Sequence, residues 1–133
     1  MRNAETVKQV YESFGRRDVP GILATFDRDV EFRLAEGHPY QPNGTPWIGP
    51  DAIVQHFFKK AGAEWERWTI DLREVLETSD AVVVECRYTA LYKPTGKTLD
   101  VQVCHVWRFD NGRIKSFHQY LDTARLQDVM GRR

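Results

Sequence analysis

Apolar and polar residues alternate along the stretch VQVCHVWRFDNGRIKSFHQYLD, which occupies residues 101–122. Alternation with a period of two is typical of strands that bury one face. Asp110-Asn111-Gly112 interrupts the alternation, and Asn and Gly tolerate the positive φ angles of a tight turn. The stretch therefore predicts a β-hairpin. If the chain acts on a small molecule, we expect His105 on this hairpin to take part.

The length and charge of the chain exclude several classes of protein. At 133 residues the chain fits a single domain, residues 1–133. Nineteen basic and nineteen acidic side chains cancel, so we expect neither nucleic acid nor a membrane surface as a partner. No apolar run reaches the roughly 20 residues of a spanning helix, and the N-terminus lacks a signal peptide's apolar segment. We therefore expect a cytoplasmic protein.

The two cysteines and the glycines do not form cofactor motifs. Cys86 and Cys104 are too few for a disulfide framework, and no clustered histidine or aspartate beside them completes a metal site. No glycine-rich phosphate loop follows a strand. We expect no metal and no other cofactor.

Helical spacing precedes the strands. Val7, Val10, Tyr11 and Phe14 form one apolar helix face, and Asn3 is placed to cap that helix. Asp18 can cap a second helix and Gly49-Pro50-Asp51 can open a third. Strand patterns cover residues 30–34, 65–78 and 81–92 besides the hairpin. The order predicts an α+β domain whose curved antiparallel sheet forms a cone around the N-terminal helices and encloses a small-molecule pocket.

An irregular stretch, residues 35–50, separates the first strand from the third helix. A long connection in a small domain is more often a binding loop or lid than a spacer. It carries Tyr40 and Trp47, and a loop has little packing reason to hold large aromatic residues. We expect both to contact the substrate.

The motifs resemble those of the nuclear-transport-factor-2-like superfamily, specifically its SnoaL-like, ketosteroid-isomerase-related members. The resemblance covers nearly the whole chain and rests on residues 17–19, 26–30, 47–53, 105–114 and 119–123. It implies the cone-shaped α+β barrel. It does not settle activity, because the superfamily includes isomerases, polyketide cyclases, epoxide hydrolases, dehydratases and noncatalytic binders.

The catalytic residues of the better-known relatives are mostly replaced here. The steroid-isomerase positions fall on Val10, Leu34 and His105, with Tyr11 one residue from the first of them. The epoxide-hydrolase positions fall on Arg87, Thr89 and Gln119, where both carboxylates are lost. The SnoaL-type cyclases match at His105, but Gln119 stands where they carry their acid/base aspartate.

A three-residue loop, Pro94-Thr95-Gly96, would set the strand register so that Glu85 lies opposite His105 and Arg87 lies diagonal to it. Thr89 and Trp107 would share that face. We hypothesise that Glu85 orients His105 as the general acid/base while Arg87 holds an oxyanion or carboxylate. The alternative is a satisfied polar cluster that only fills the cone.

The turn at residues 110–112 leaves two alternatives open. A two-residue turn puts His118 opposite His105, whereas a three-residue turn puts Gln119 on the pocket face. The resemblance favours Gln119. Trp107, Phe57, Tyr11 and Phe14 are further candidate substrate contacts, although core packing is the more common role of such residues.

The register predicted from the loop leaves Val84, Tyr88 and Val106 outside the pocket. That face is apolar enough to need covering, which suggests a homodimer through the sheet. The leading interpretation is an acid/base enzyme of isomerase, cyclase or dehydratase type that acts on a small hydrophobic carbonyl or hydroxyl compound. The alternatives are a noncatalytic binder of a small hydrophobic ligand and a dimeric adaptor.

Overall fold

The computed structural model describes residues 2–132 and has the α+β architecture that the sequence predicts. Its six-stranded sheet has the order β2-β1-β6-β5-β4-β3. The strands are β1 (Phe26–Arg33), β2 (Trp47–Ile48), β3 (Trp65–Glu77), β4 (Ala81–Tyr92), β5 (Lys97–Asp110) and β6 (Arg113–Leu121). All paired strands are antiparallel except β1 and β6, which are parallel.

Helices lie on the concave face of the curved sheet. They are α1 (Asn3–Gly15), α2 (Val19–Leu23), α3 (Pro50–Ile53), α4 (Lys59–Glu64) and α5 (Thr123–Val129), and a π-helical turn (Val54–Phe58) joins α3 to α4. Asp18 caps α2 by accepting a hydrogen bond from the Gly21 N–H, and Asp122 caps α5 in the same way through Arg125. The prediction for Asn3 is wrong, because Arg2 occupies the N-cap position of α1.

The β4–β5 hairpin differs from the prediction by one residue. Tyr92 pairs with Lys97, so the loop has four residues and not three. Val84 consequently lies opposite His105, whereas Glu85 lies opposite Cys104. A one-residue slip turns every side chain of a strand to the other face of the sheet. The expected placement of Glu85, Arg87 and Thr89 beside His105 is therefore wrong.

The β5–β6 hairpin combines features of both predicted alternatives. Asp110 pairs with Arg113 across a two-residue turn, but a β-bulge between Arg108 and Phe109 shifts the later pairing by one residue. His105 therefore lies directly opposite Gln119, and His118 faces away from it. The bulge, and not the turn, brings Gln119 to the pocket face.

The sheet face that we expected to be uncovered is also corrected. Val84 is fully buried and Tyr88 is 4% exposed, because both lie beneath the helices. Val106 remains on the outer face, where it pairs with Val83. Assembly into a homodimer through the sheet stays a prediction, now on a surface different from the one expected.

Candidate functional site

A cavity of about 510 Å³ opens between the helices and the concave face of the sheet. This volume falls within the range of roughly 300–1,000 Å³ that small-molecule sites occupy. Half of the residues that line it are Phe, Tyr or Trp, including Phe14, Phe26, Phe32, Phe57, Phe58 and Phe117. The chamber is therefore suited to a flat hydrophobic molecule.

One wall of the cavity carries a row of polar side chains centred on His105. The Tyr11 hydroxyl lies 2.7 Å from His105 Nδ1, and the Tyr88 hydroxyl makes a short hydrogen bond with Nε2. All three residues line the cavity. The hydrogen-bonded row Tyr11–His105–Tyr88 brings together residues from α1, β4 and β5.

Two further residues fix the outer ends of this row. Trp107 Nε1 donates to the Tyr11 hydroxyl at 2.9 Å. Gln119 Nε2 donates to the Tyr88 hydroxyl at 3.1 Å, and Gln119 Oε1 accepts the Ala35 N–H at 3.3 Å. Each tyrosine oxygen thus already accepts one hydrogen bond. A tryptophan N–H and an amide that is itself oriented by the backbone set the direction of the whole row.

Burial keeps these groups neutral. His105 is 2% exposed, and burial lowers the pKa of its imidazole from 6.5 to about 3. Burial also raises the pKa of the Tyr11 and Tyr88 hydroxyls well above the ordinary value of 10. At neutral pH the row therefore consists of two phenols and an uncharged imidazole.

The neutral imidazole makes the two tyrosines inequivalent. One ring nitrogen carries the proton and donates to its tyrosine, while the other nitrogen accepts from its tyrosine. One tyrosine oxygen accepts a hydrogen bond from the imidazole and a second one from Trp107 or Gln119. The O–H of that tyrosine therefore donates to none of these groups. Both tyrosines line the cavity, so in either tautomer this O–H is the donor of the row that a ligand oxygen can accept from.

The other proposed catalytic residues lie elsewhere. Arg87 forms an ion pair with Asp100 on the outer face, with Nε 2.6 Å from Oδ1. Glu85 lies opposite the partly exposed Cys104, and Thr89 is exposed. None of these three residues lines the cavity that contains His105.

The candidate substrate contacts divide into two groups. Gln119, Trp107, Phe57, Tyr11 and Phe14 line the cavity, and their contact with a substrate stays a prediction. Tyr40 and Trp47 do not line it. The Tyr40 hydroxyl makes a short hydrogen bond with Glu64 and accepts one from Trp65 Nε1, and Trp47 stacks on Phe32. Both have packing roles in the fold, and their contact with a substrate stays a prediction.

Tyr88 is the site residue that the sequence analysis missed. The predicted loop between β4 and β5 is one residue too short, and it therefore places Tyr88 on the outer face of the sheet. The burial pattern of β4 is regular, with Val82, Val84, Cys86, Tyr88 and Ala90 all buried. The apolar character of these alternate residues was the available signal, and it outweighs the loop assignment.

Residues 2–132 contain no group of three or more His, Cys, Asp or Glu side chains arranged to hold a metal ion. No helix in this part of the chain is long and apolar enough to cross a membrane.

Comparisons with known proteins agree with the fold described above. The family model for the SnoaL-like domain matches residues 7–117. An NTF2-like protein from Burkholderia thailandensis is 30% identical, with 98% of each chain covered and a TM-score of 0.90. An NTF2-like protein of unknown function from Burkholderia pseudomallei is 29% identical over 97% of this chain and 98% of its own, with a TM-score of 0.87.

A third solved structure has the same fold with a ligand. TerC co-crystallised with polyporic acid is 24% identical, covers 97% of this chain and 98% of its own, and has a TM-score of 0.85. At this identity the likeness concerns the fold alone. A search of the curated proteins finds no match.

Proposed function

Because the chain belongs to the SnoaL-like domain family, we propose that it is an enzyme of isomerase, cyclase or dehydratase type that acts on a small hydrophobic carbonyl compound. The observation that carries the proposal is the row Tyr11–His105–Tyr88 at the wall of an apolar cavity of about 510 Å³. Burying these polar groups costs desolvation free energy, and their place on the wall of an otherwise apolar cavity supports a role in contacting a polar group of the ligand.

The row would act on the carbonyl oxygen of the substrate. In either tautomer of His105, one tyrosine O–H points to a ligand oxygen and donates to it. Negative charge that develops on this oxygen is stabilised by a donor that is already oriented in a site with little water. Removing one donor of this kind typically costs roughly 10²- to 10³-fold in rate.

His105 would then have a different role from the one first expected. With a pKa lowered to about 3, its imidazole is too weak a base to remove a proton from carbon near neutral pH. It serves as a positioning residue that holds both tyrosines and determines which of them donates. The tyrosines are the groups that touch the substrate.

A noncatalytic binder of a small hydrophobic ligand is the second candidate. It is favoured by one observation: Glu66 is the only carboxylate among the described residues that line the cavity, and it is exposed. An enzyme that forms an enolate needs a base near the reacting carbon, and the buried wall provides none. The dimeric adaptor is disfavoured because its cavity should be filled by side chains.

Polyporic acid is the first probe, since TerC was co-crystallised with it. The test measures the thermal midpoint of the wild type and of Tyr88→Phe with and without this compound. Ligand that binds only the native state raises the midpoint by mass action. We expect a clear rise for the wild type and a smaller one for Tyr88→Phe. Tyr120→Phe, an exposed tyrosine, is the matched control.

The same samples distinguish the enzyme from the binder. Incubation with a panel of aromatic ketones, followed by mass spectrometry and chromatography, detects isomeric or dehydrated products. Conversion that is reduced in Tyr88→Phe and abolished in the double variant with Tyr11→Phe supports the enzyme. Binding throughout the panel without conversion supports the binder, and no rise in midpoint with any compound contradicts both.

A further inference from the structure

Two arginines lie at the mouth of the cavity. Arg17 and Arg67 line it, and so does Glu66, and these three are the charged residues among its described lining. All three are exposed. We propose that Arg17 and Arg67 bind a carboxylate of the ligand, so that the substrate is an aromatic acid whose carbonyl oxygen reaches the tyrosines. This inference rests on the proposed function and adds the substrate class.

The backbone at Arg17 would favour glycine over arginine. Arg17 follows the end of α1 and has a φ of 60°. The Asp18 N–H bonds to the Ser13 carbonyl and the Arg17 N–H to the Phe14 carbonyl, which is the Schellman pattern. Glycine usually occupies its left-handed position. A long side chain there is unusual and suggests that the side chain itself is used.

Arg67 repeats this arrangement in a different setting. It has a φ of 53° and lies in a β-bulge, where the register of β3 against β4 shifts between Glu66 and Thr69. Glycine is again the favoured residue for a left-handed bulge position. Two unrelated backbone motifs therefore place arginine, and not glycine, at the same opening.

The Arg17 guanidinium is held in place over the mouth. It donates to the Trp68 carbonyl at 2.9 Å and to the Phe14 carbonyl at 3.0 Å, and it lies 5.1 Å above the centre of the Phe14 ring. Trp68 is also next in sequence to Arg67, so both arginines lie at the same corner. A guanidinium has five N–H donors, and those that remain can bind a carboxylate without a large loss of side-chain freedom.

The interior of the cavity determines which end of the ligand enters first. Its polar wall consists of Tyr11, Tyr88, Gln119 and a neutral His105. No Lys or Arg in the described part of the chain lines the cavity apart from Arg17 and Arg67. A carboxylate placed inside would be a buried charge without a counter-ion, which is costly. The charged end therefore stays at the mouth, and the neutral carbonyl goes inside.

The test compares 4-benzoylbenzoic acid with its methyl ester. Both have a diaryl ketone for the tyrosines, but only the acid carries a negative charge. Affinity is measured by calorimetric titration at low and high salt. We expect the wild type to bind the acid about tenfold more tightly than the ester, as a charge-assisted hydrogen bond would give. Salt should weaken binding of the acid alone.

Variants at the mouth should change the preference and leave the ester unaffected. Arg67→Gln, whose native side chain is 75% exposed, should lower affinity for the acid several-fold and leave affinity for the ester within about twofold. The double variant with Arg17→Gln should abolish the preference. Glu66→Gln removes a competing negative charge and should raise affinity for the acid. Arg73→Gln removes one positive charge from the same strand away from the cavity and is the matched control.

The outcomes separate this inference from the function that it rests on. Equal affinity for acid and ester in the wild type would overturn the carboxylate site and leave the tyrosine row untouched. An acid preference that survives the double variant, or is lost equally in Arg73→Gln, would also overturn it. Failure of both compounds to bind would contradict the proposed function and the carboxylate site together.

Discussion

The Tyr11 hydroxyl, on the first helix, lies 2.7 Å from Nδ1 of His105, on the fifth strand. The same oxygen accepts a hydrogen bond from Trp107 Nε1, so one phenol ties α1 to two neighbouring positions of β5. The contact that fixes the helix on the sheet also orients the imidazole. Stability of the fold and polarity of the cavity wall consequently depend on the same bonds.

The first prediction concerns the two tyrosines together. In Tyr11→Phe, His105 should adopt the tautomer in which Nε2–H donates to Tyr88, so that the Tyr88 O–H still serves the ligand. Tyr88→Phe should have the opposite effect. We expect each single variant to keep part of the ligand affinity and the double variant to lose nearly all of it. Calorimetric titration with polyporic acid measures this cycle.

Each tyrosine variant should also unfold more easily. Tyr11→Phe leaves the Trp107 N–H unpaired and Tyr88→Phe does the same to the Gln119 amide, at a cost of about 1–3 kcal/mol each. Urea unfolding gives these values, and Tyr120→Phe should change the free energy of unfolding little. For the binding measurement, a single variant that abolishes ligand binding as completely as the double variant would contradict the exchange of tautomers.

The second prediction concerns acid pH. Burial lowers the pKa of His105 to about 3 and that of His38 to about 4, from 6.5. Between these values and 6.5 the unfolded chain binds protons that the folded chain does not. The stability is fully present above pH 6.5 and falls as the pH decreases, by up to about 1.4 kcal/mol per pH unit for each histidine.

Urea unfolding at pH 7, 6 and 5 measures that slope. In the wild type, His38 Nδ1 accepts a hydrogen bond from the Tyr40 N–H at 3.0 Å. His38→Asn retains an acceptor for this N–H and should remove the contribution of one histidine to the change of unfolding free energy with pH. Gln55→Asn changes an exposed residue without a titratable group and should leave the slope as it is. A His38→Asn slope equal to that of the wild type would show that His38 does not contribute.

The sequence predicts the fold well because periodicity and order determine it. The alternation in residues 101–122, the capping residue Asp18, and the segregation of helices from strands all agree with the structure. These signals are local, or they depend only on the order of elements. They were sufficient for the α+β cone and for an accurate expectation that His105 lies on a buried strand face.

The partners of His105 were not predictable in the same way because they depend on register. The loop after Tyr92 has one residue more than predicted. Val84 and not Glu85 therefore lies opposite His105, and Tyr88 lies on the inner face of the sheet. A β-bulge between Arg108 and Phe109 shifts the pairing of β5 with β6 by one residue, which places Gln119 opposite His105. The position of Tyr40, in the loop at residues 35–46, was not predictable for another reason. The buried Gln41 and His38 satisfy its backbone locally, so Tyr40 packs inward and does not line the cavity.

The third prediction concerns assembly. On the outer face of the sheet Leu76 is 47% exposed and pairs with Val83, which in turn pairs with Val106. If a homodimer forms through the sheet, this apolar patch should be its centre. Light scattering should give a dimeric mass for the wild type and a lower mass for Leu76→Glu. Ile48→Glu, at an equally exposed residue on the edge strand β2, should leave the mass unchanged, and a wild-type monomer would contradict the prediction.

The fourth prediction separates a structural role of Arg67 from a ligand-binding role. With a φ of 53°, Arg67→Gly removes left-handed strain of about 1 kcal/mol, which the greater freedom of glycine in the unfolded chain roughly offsets. We therefore expect the free energy of unfolding to stay the same or to rise slightly, while affinity for 4-benzoylbenzoic acid falls several-fold. Arg73→Gly, on the same strand at an ordinary φ, should instead lose about 0.5–1 kcal/mol and keep its affinity. An equal loss of stability in both variants would mean that the Arg67 side chain supports the fold, and an unchanged affinity in Arg67→Gly would remove it from the ligand site.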